Sequence, residues 1–260
     1  MRDTTPAAEQ ARLDAIRRVA PVQRLAQPLD LSESVRAVAL SRLRELHADR
    51  TELELVELLL GATLISGPSR WPTGVTAAGL LRSVVAALDA AGVPFMLTGS
   101  LAAAYHGAGR ATMDIDLVID PTAPQLRSLV RALAGTGTYV SSDAAADALA
   151  HRSTFNVVDT TSGWKADLIV RKARAFSETE FARRRPADYE GCPLWVASLE
   201  DVIVTKLEWA KLGASARQLE DVAALVRINA GRLDRAYLEH WIAELGLTAQ
   251  WGQATGGAPA

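Results

Sequence analysis

Two aspartates separated by one residue are the feature of this sequence best suited to chemistry. Asp114 and Asp116 flank Ile115 in an apolar run that continues through Ile119, which predicts a strand. Side chains alternate along a strand, so both carboxylates share one face. Adjacent carboxylates repel each other without a cation, and Mg²⁺ prefers oxygen ligands of this kind. The pair therefore predicts a site for Mg²⁺, or for Mn²⁺ in its place.

Two further segments give this pair its chemical context. Gly99 and Ser100 follow an apolar run over residues 93–97 and precede a helical segment. Glycine lets a phosphate approach the backbone, the start of a helix offers N–H groups, and Ser100 adds a hydroxyl donor. A third acid, Asp167, lies in a later apolar run. If its strand pairs beside that of Asp114 and Asp116, Asp167 joins them as a metal ligand or as a base.

The three acids and the Gly-Ser turn together suit in-line nucleotidyl transfer. An Asp-x-Asp pair alone is more typical of a solvated strand edge than of a functional site, and the alternative for Asp167 is a surface strand residue. The Gly-Ser turn at a fixed distance before the pair favours the functional interpretation, because this combination is rare at average residue usage. On this hypothesis Asp114, Asp116 and Asp167 bind the metal and perform catalysis, while Gly99 and Ser100 bind the nucleotide.

Helical periodicity dominates both ends of the chain, and strands occupy its middle. A helix is predicted over residues 31–50, with Asp30 and Glu33 as its capping pair, and a second helix start follows at Thr51. Two prolines and two glycines predict a linker over residues 66–74. Further helices are predicted at 76–92, 101–105, 121–133, 201–212, 216–228 and 234–245. Further strands are predicted at 93–97, 115–119, 155–158, 166–170 and 194–196, with a hairpin turn at 159–163.

These elements predict an α+β protein in four parts. An N-terminal helical module would span residues 1–72, and an α+β core would span residues 73–197. A C-terminal helical subdomain, residues 198–250, would pack on that core. The glycine- and alanine-rich residues 251–260 would form a disordered tail.

Composition excludes several classes of protein. Of the 260 residues 49% are hydrophobic and 22% charged, as in a globular protein, and no apolar run reaches the roughly 20 residues that span a bilayer. The one cysteine, Cys192, cannot form an internal disulfide, so we expect a cytoplasmic protein without a membrane partner. The net charge of −2 gives no general attraction for nucleic acid. Any contact with RNA must come from a local basic patch.

Three more residues have both a functional and an ordinary interpretation. Lys206 is either a phosphate contact or a lysine that reaches solvent from a helix. Asp221 either serves the site or pairs with Arg217 four residues earlier on the same helix. Arg110 either clamps the substrate or is a solvated loop residue.

Other candidate groups are weaker. Basic residues at 171–174 and 183–185 predict either an RNA-binding patch or an ordinary exposed helix. The four histidines lack the spacing of a metal site, and His106 is expected in the core or on the surface rather than in the pocket. Trp209, Trp241 and Trp251 are expected to lie in the core of the C-terminal helices rather than to stack on bases.

These motifs resemble those of a known superfamily. Residues 99–117 resemble the signature of the polymerase-β-like nucleotidyltransferases, and residues 110–113 resemble the lead-in of bacterial members related to AbiEii-type toxins. The helix that carries Lys206 and the later Arg217–Asp221 segment are similar to two helices of those proteins. The resemblance spans roughly residues 75–245. It implies the nucleotidyltransferase fold, a small mixed sheet flanked by helices, with Lys206, Asp221 and Arg110 added to the nucleotide-binding residues.

The resemblance also implies an activity. The expected enzyme moves an NMP from an NTP such as ATP to an acceptor hydroxyl. Within the branch it resembles, the protein would be the toxin of a toxin–antitoxin pair, with tRNA or another RNA as acceptor and a cognate antitoxin protein as partner. Two alternatives stay open at this point. One is a nucleotidyltransferase that modifies a small molecule such as an antibiotic, and the other is a non-catalytic, partner-binding module of the same fold.

Overall fold

The computed structural model describes residues 5–51, 54, 55, 58, 76–112, 114–135, 137–159 and 162–257. Two features predicted from the sequence lie outside these residues: the linker at 66–74 and positions 160–161 of the hairpin turn.

The helices of the described residues lie before, between and after the strands. In chain order they are α1 (Pro6–Arg18), α2 (Pro21–Leu46), α3 (Ala77–Ala90), α4 (Gly99–Tyr105), α5 (Ala123–Ala134), α6 (Ser142–His151), α7 (Ala175–Ala182), α8 (Leu199–Gly213), α9 (Ala216–Ile228), α10 (Arg235–Glu244) and α11 (Thr248–Thr255). From residue 76 onward, each predicted helix agrees with its observed bounds to within two residues. No helix in the described part of the chain is both long and apolar enough to cross a membrane.

One mixed sheet forms the centre of the molecule. Its strands are β1 (Phe95–Leu97), β2 (Asp114–Ile119), β3 (Thr138–Val140), β4 (Thr154–Asp159), β5 (Lys165–Val170), β6 (Arg185–Tyr189) and β7 (Cys192–Val196). They lie in the order β3-β4-β5-β2-β1-β7-β6. β2 pairs with β5, and β1 with β7, in parallel, while the other neighbours are antiparallel. The predicted α+β class, a mixed sheet flanked by helices, is confirmed.

The central strands β2 and β5 carry the acids on one face and the core on the other. Ile115, Leu117, Ala166 and Leu168 are all fully buried. The alternation that predicted a shared face for the two aspartates is therefore observed. The predicted hairpin is also present, since β4 and β5 pair antiparallel along their whole length.

The N-terminal helices begin earlier than predicted. α2 starts at Pro21 and continues through Pro28, so Asp30 and Glu33 lie inside the helix and do not cap it. Glu33 instead accepts a hydrogen bond from the backbone N–H of Ala77 at 2.6 Å, at the start of α3. A carboxylate there satisfies a donor that has no partner within its own helix. The residue is a cap, but of a helix 44 positions away.

Two short edge strands, β3 and β6, and the helices α1, α6 and α11 were not predicted. β3 has only three residues, and β6 begins Arg-Pro-Ala-Asp with largely exposed side chains, as edge strands often do. The predicted disorder from residue 251 is wrong up to Thr255, because α11 runs from Thr248 to Thr255. Trp251 is 6% exposed and anchors this helix in the core. The glycine and alanine content predicted disorder, but the burial of Trp251 holds this helix against the core.

Candidate active site

The three predicted acids meet at the centre of the sheet. β2 and β5 pair in parallel with Asp116 directly opposite Asp167. One carboxylate oxygen from each of Asp114, Asp116 and Asp167 lies within 4.8 Å of the other two. Each side chain is partly exposed. The sequence analysis placed Asp167 in the cluster only if its strand lay beside the strand of Asp114 and Asp116, and the two strands do pair.

Gly99 packs directly against this cluster. β1 pairs antiparallel with β2, and the backbone N–H of Thr98 donates to the carbonyl of Asp116 at 3.0 Å. Gly99 then adopts a positive φ of 63°, which favours glycine. A Cβ added to it would lie 2.7 Å from Cγ and 2.9 Å from Cβ of Asp116, and closer still to Oδ2. Glycine is therefore required here by both the backbone conformation and the space that Asp116 occupies.

Crowding of the acids changes their proton affinity. Burial, together with the smaller effect of the charges of Asp114 and Asp167, raises the pKa of Asp116 to about 6. Burial also raises the pKa of Asp167, although Lys165 acts against this shift. Carboxylates whose pKa rises because of other carboxylates gain from a bound cation, which removes the repulsion.

The two outer acids are held by different neighbours. The hydroxyl of Thr112 donates to Oδ1 of Asp114 at 3.0 Å, and the Thr112 backbone N–H donates to Ser32 of α2 at 2.8 Å. Nζ of Lys165 binds Oδ2 of Asp167 at 3.0 Å. The other oxygen of Asp167, Oδ1, is buried and has no hydrogen-bond partner in the described residues. An orphaned carboxylate oxygen in an acidic cluster fits a divalent cation such as Mg²⁺.

Lys165 was not singled out from the sequence. It stands two residues before Asp167 on β5, so strand alternation places both side chains on one face. That spacing was the available signal. A lysine there is a fixed positive charge beside the proposed cation, and it competes with the cation for Asp167.

Replacing Lys165 with Met is expected to tighten Mg²⁺ binding. Removal of one unit charge near a divalent ion at a solvated site favours the ion by on the order of tenfold in affinity. Isothermal titration with MgCl₂ at pH 8, above the pKa of about 6 of Asp116, measures the change. Lys211→Met is a matched control, because the Nζ of Lys211 binds the carbonyls of Leu245 and Gly246 instead. If Lys165→Met bound Mg²⁺ no more tightly than the wild type does, Lys165 would not compete with the cation for Asp167.

A buried polar network lies beside the acids. Nζ of Lys206, only 3% exposed, binds Oδ2 of Asp221 at 2.7 Å and Oε1 of Gln218 at 2.9 Å. Arg110 binds the same Asp221 carboxylate at 3.1 Å and donates from Nη2 to Oγ of Ser100 at 2.8 Å. The charge of Lys206 also acts on Asp116. The network thus connects the Gly-Ser turn to α8 and α9.

This network contradicts the ordinary interpretations that the sequence allowed for Lys206, Asp221 and Arg110. Lys206 does not reach solvent from a helix surface, and burial lowers its pKa while Asp221 raises it. The ion pairs of Asp221 in the described residues run to Arg110 and Lys206, not to Arg217. Arg110 is not a simple solvated loop residue, since both ends of its guanidinium are bound. Gln218 joins the network without having been predicted.

A cleft of about 740 Å³ opens over these residues. Gly99, Ser100, Arg110, Asp114 and Asp116 line it on the sheet side, and Lys206 and Gln218 line it on the side of α8 and α9. Asp167 reaches the acidic cluster from β5 without itself lining the cleft. Seven basic side chains but only four acidic ones line it: Arg110, Arg152, Arg171, Lys172, Arg174, Lys206 and Arg217, against Asp114, Asp116, Glu180 and Glu208.

The predicted basic patch divides into two groups. The residues at 171–174 line the cleft, where Arg174 binds Glu208 through two hydrogen bonds of 2.6 Å. The residues at 183–185 do not line it. Arg183 instead binds Glu200 and Asp201. Only the first group can meet a molecule bound in the cleft.

Two predictions about single residues have opposite outcomes. Nε2 of His106 lies 2.8 Å from the Ala197 carbonyl, and burial lowers its pKa to about 4, so it is a neutral packing residue as expected. Trp241 and Trp251 are each 6% exposed and belong to the core. Trp209 does not, since it is 55% exposed and lines the cleft. Its position on α8 places it in the lining of the cleft and not in the core, which the spacing of apolar residues did not reveal.

Comparison with known proteins gives structural similarities alone. No family model and no curated protein matches the sequence. Among solved structures, the antibiotic-resistance factor ANT(2'')-Ia is 17% identical, covering 64% of this chain and 89% of its own, with a TM-score of 0.43. An antigenic nucleotidyltransferase-like protein from Paracoccidioides brasiliensis is 14% identical, covering 71% and 94%, with a TM-score of 0.46. JHP933 from Helicobacter pylori is 19% identical, covering 67% and 77%, with a TM-score of 0.39.

Proposed function

We propose that this protein is a metal-dependent nucleotidyltransferase that moves an NMP from an NTP to an acceptor hydroxyl. The observation that carries the proposal is the meeting of three carboxylates from two paired strands beside the Gly99 turn. A metal bound there would polarise the α-phosphate and neutralise charge that develops as the bond to pyrophosphate breaks. Asp114, Asp116 and Asp167 would hold it. Their crowding and the orphaned Oδ1 of Asp167 support this fit.

The remaining groups of the cleft support a bound triphosphate. Gly99 leaves the backbone open to close approach, and Ser100 can donate its hydroxyl proton while its oxygen accepts from Arg110. Lys206 and Arg110 supply two cations that Asp221 holds in place. Buried charges of fixed geometry require little rearrangement when a polyphosphate binds.

Asp167 is the candidate base for the acceptor hydroxyl. Burial raises its pKa, which makes it a stronger proton acceptor than an exposed aspartate. Because Oδ1 is buried, the proton would go to Oδ2, the oxygen that Lys165 binds in this structure. The hydroxyl oxygen then bonds to the α-phosphorus, the bond to the β-phosphate oxygen breaks, and pyrophosphate leaves.

The charge of the cleft favours RNA, such as tRNA, as the acceptor. Basic side chains outnumber acidic ones in the lining, and two of the four acids belong to the proposed metal site. Burial also raises the pKa of Glu180 to about 8, so this acid is largely uncharged at neutral pH. Phosphates of an RNA would gain from such a lining, whereas a polycationic antibiotic would be repelled. This preference supports a toxin that modifies RNA, with an antitoxin partner to restrain it.

Incubation with each α-labelled NTP, Mg²⁺ and total cellular RNA tests the proposal. We expect label to appear on RNA with the wild-type protein and to be absent with Asp116→Asn. Expression of the wild type, and not of the variant, is expected to arrest growth. Label on a small molecule instead of RNA would show the transfer but refute the RNA acceptor. Absence of label from every acceptor, with NTP binding intact, would refute catalysis and indicate a binding module.

A further inference from the structure

Trp209 is a large apolar side chain exposed at the mouth of the cleft. It is 55% exposed, whereas the tryptophans at 164, 241 and 251 are at most 6% exposed. Trp195 is also exposed, at 40%, but the guanidinium of Arg184 lies 5.0 Å from its ring. Within the described part of the chain, no ring or guanidinium stacks on Trp209 in this way. Its indole face is therefore open toward the cleft that it lines.

The position of Trp209 relates it to the proposed phosphate site. It follows Lys206 by three residues on α8, and residues at this spacing lie on the same side of a helix. The rise of about 1.5 Å per residue puts it roughly 4.5 Å further along the helix axis. This displacement is on the scale of the ribose that joins a base to its phosphates. A nucleotide with its phosphates at Lys206 can thus direct its base toward Trp209.

The surroundings of Trp209 suit a base better than a charged group. Leu212 and Val35, 75% and 48% exposed, also line the cleft. The lining thus offers exposed apolar side chains as well as the buried charge of Lys206, two kinds of surroundings that suit the base and the phosphates of a nucleotide. Aromatic side chains bind every base through its π-face, so such a site tolerates different bases.

We propose that Trp209 is the stacking platform for the base of the bound NTP. This inference rests on the proposed function, because it assumes that the triphosphate occupies the residues around Lys206. On this proposal, Trp209 provides most of the affinity for the nucleoside part of the NTP. Since stacking discriminates weakly, the enzyme is expected to bind several NTPs with similar affinity unless other groups select among them.

Titration calorimetry with ATP, GTP, CTP, UTP and inorganic tripolyphosphate, each with Mg²⁺, tests the platform. In Trp209→Ala we expect NTP affinity to fall about 5- to 150-fold and tripolyphosphate affinity to change less than twofold. Trp209→Phe keeps a π-face and should recover most of the loss. Trp195→Ala is the matched control, an exposed tryptophan outside the cleft, and should bind all ligands as the wild type does. Thermal melting of each variant confirms that it is folded.

The outcomes separate this proposal from the one on which it rests. If the wild type binds NTP and Trp209→Ala binds it equally well, the platform is refuted while the proposed function stands. If Trp209→Ala binds every NTP as the wild type does but transfers less label to RNA in the labelled-transfer assay, the indole serves the acceptor and the proposal is likewise overturned. If the wild type binds neither NTP nor tripolyphosphate, the proposed function fails, and the platform fails with it.

Discussion

Replacing Asp116 with Asn is expected to abolish nucleotidyl transfer, with a fall of about 10³-fold or more in kcat. Asp116 is the central acid of the cluster, opposite Asp167 on the paired strand and within reach of Asp114. Asparagine keeps the shape but has no negative charge, so the proposed metal loses an anionic ligand. The labelled-transfer assay measures the loss. Asp147→Asn, on the exposed surface of α6, is the control and should keep full activity.

The same substitution is expected to stabilise the metal-free protein at high pH. The pKa of Asp116 is about 6 in the folded protein, above its ordinary value of 3.8, so the folded state binds this proton more tightly than the unfolded chain does. The free energy of unfolding therefore falls as pH rises from about 4 to about 6, by about 3 kcal/mol in all. Asn has no such titration, so Asp116→Asn avoids that loss.

Thermal melting in EDTA at pH 5 and pH 8 measures this effect. At pH 8 we expect Asp116→Asn to melt roughly 5 to 10 °C above the wild type, and at pH 5, where about half of the loss has occurred, the gap should be about half as large. Added Mg²⁺ should raise the melting temperature of the wild type more than that of the variant. A variant that melts below the wild type at pH 8 would show that ionised Asp116 does not destabilise the folded state. In the labelled-transfer assay, substantial nucleotidyl transfer by Asp116→Asn would show that Asp116 does not belong to the catalytic site.

The core of the site could be predicted because its signals are local. Alternation along β2 and β5 determines which faces the three acids share, and it needs only neighbouring residues. Glycine before a helix indicates a backbone of positive φ, which Gly99 adopts. Pairing of the two strands was the one non-local assumption, and the register of Asp116 with Asp167 meets it.

The polar network could not be predicted because its contacts are distant in sequence. Arg110 and Asp221 are separated by 111 positions, whereas Arg217 lies one helical turn from Asp221. Sequence reasoning favours the local pair, since any helix brings i and i+4 together. The fold provides a better alternative, because Lys206 is buried and needs a counter-charge that an exposed arginine does not. Tertiary burial thus outweighs local proximity.

Exposure of single side chains is the second kind of information that the sequence lacks. Trp209 and Trp241 are both aromatic residues in helices, but Trp241 is buried whereas Trp209 is exposed in the lining of the cleft. Pairing of an edge strand is likewise not evident from the sequence. The polar sequence of β6 is typical of a loop, yet β6 pairs with β7 over five residues.

Replacing Gly99 with Ala is expected to reduce transfer at least about 100-fold, although no functional group is removed. The added methyl group would lie 2.9 Å from Cβ of Asp116 and nearer still to its carboxylate, so rotation of the Asp116 side chain alone cannot relieve the overlap. Asp116 must shift away from Asp114 and Asp167, which disperses the ligands of the proposed metal. Mg²⁺ affinity, measured by titration calorimetry, should fall together with kcat.

A control separates this displacement from the cost of the backbone conformation. Gly99 has a φ of 63°, and alanine in this region costs about 1 to 2 kcal/mol of stability wherever it occurs. Gly191 has a φ of 77° and no atom within 4 Å of an added Cβ. Gly191→Ala should therefore lose similar stability but keep full activity and Mg²⁺ affinity. If both variants were equally active, Gly99 would serve only the turn, and the close contact with Asp116 would have no part in holding the acids together.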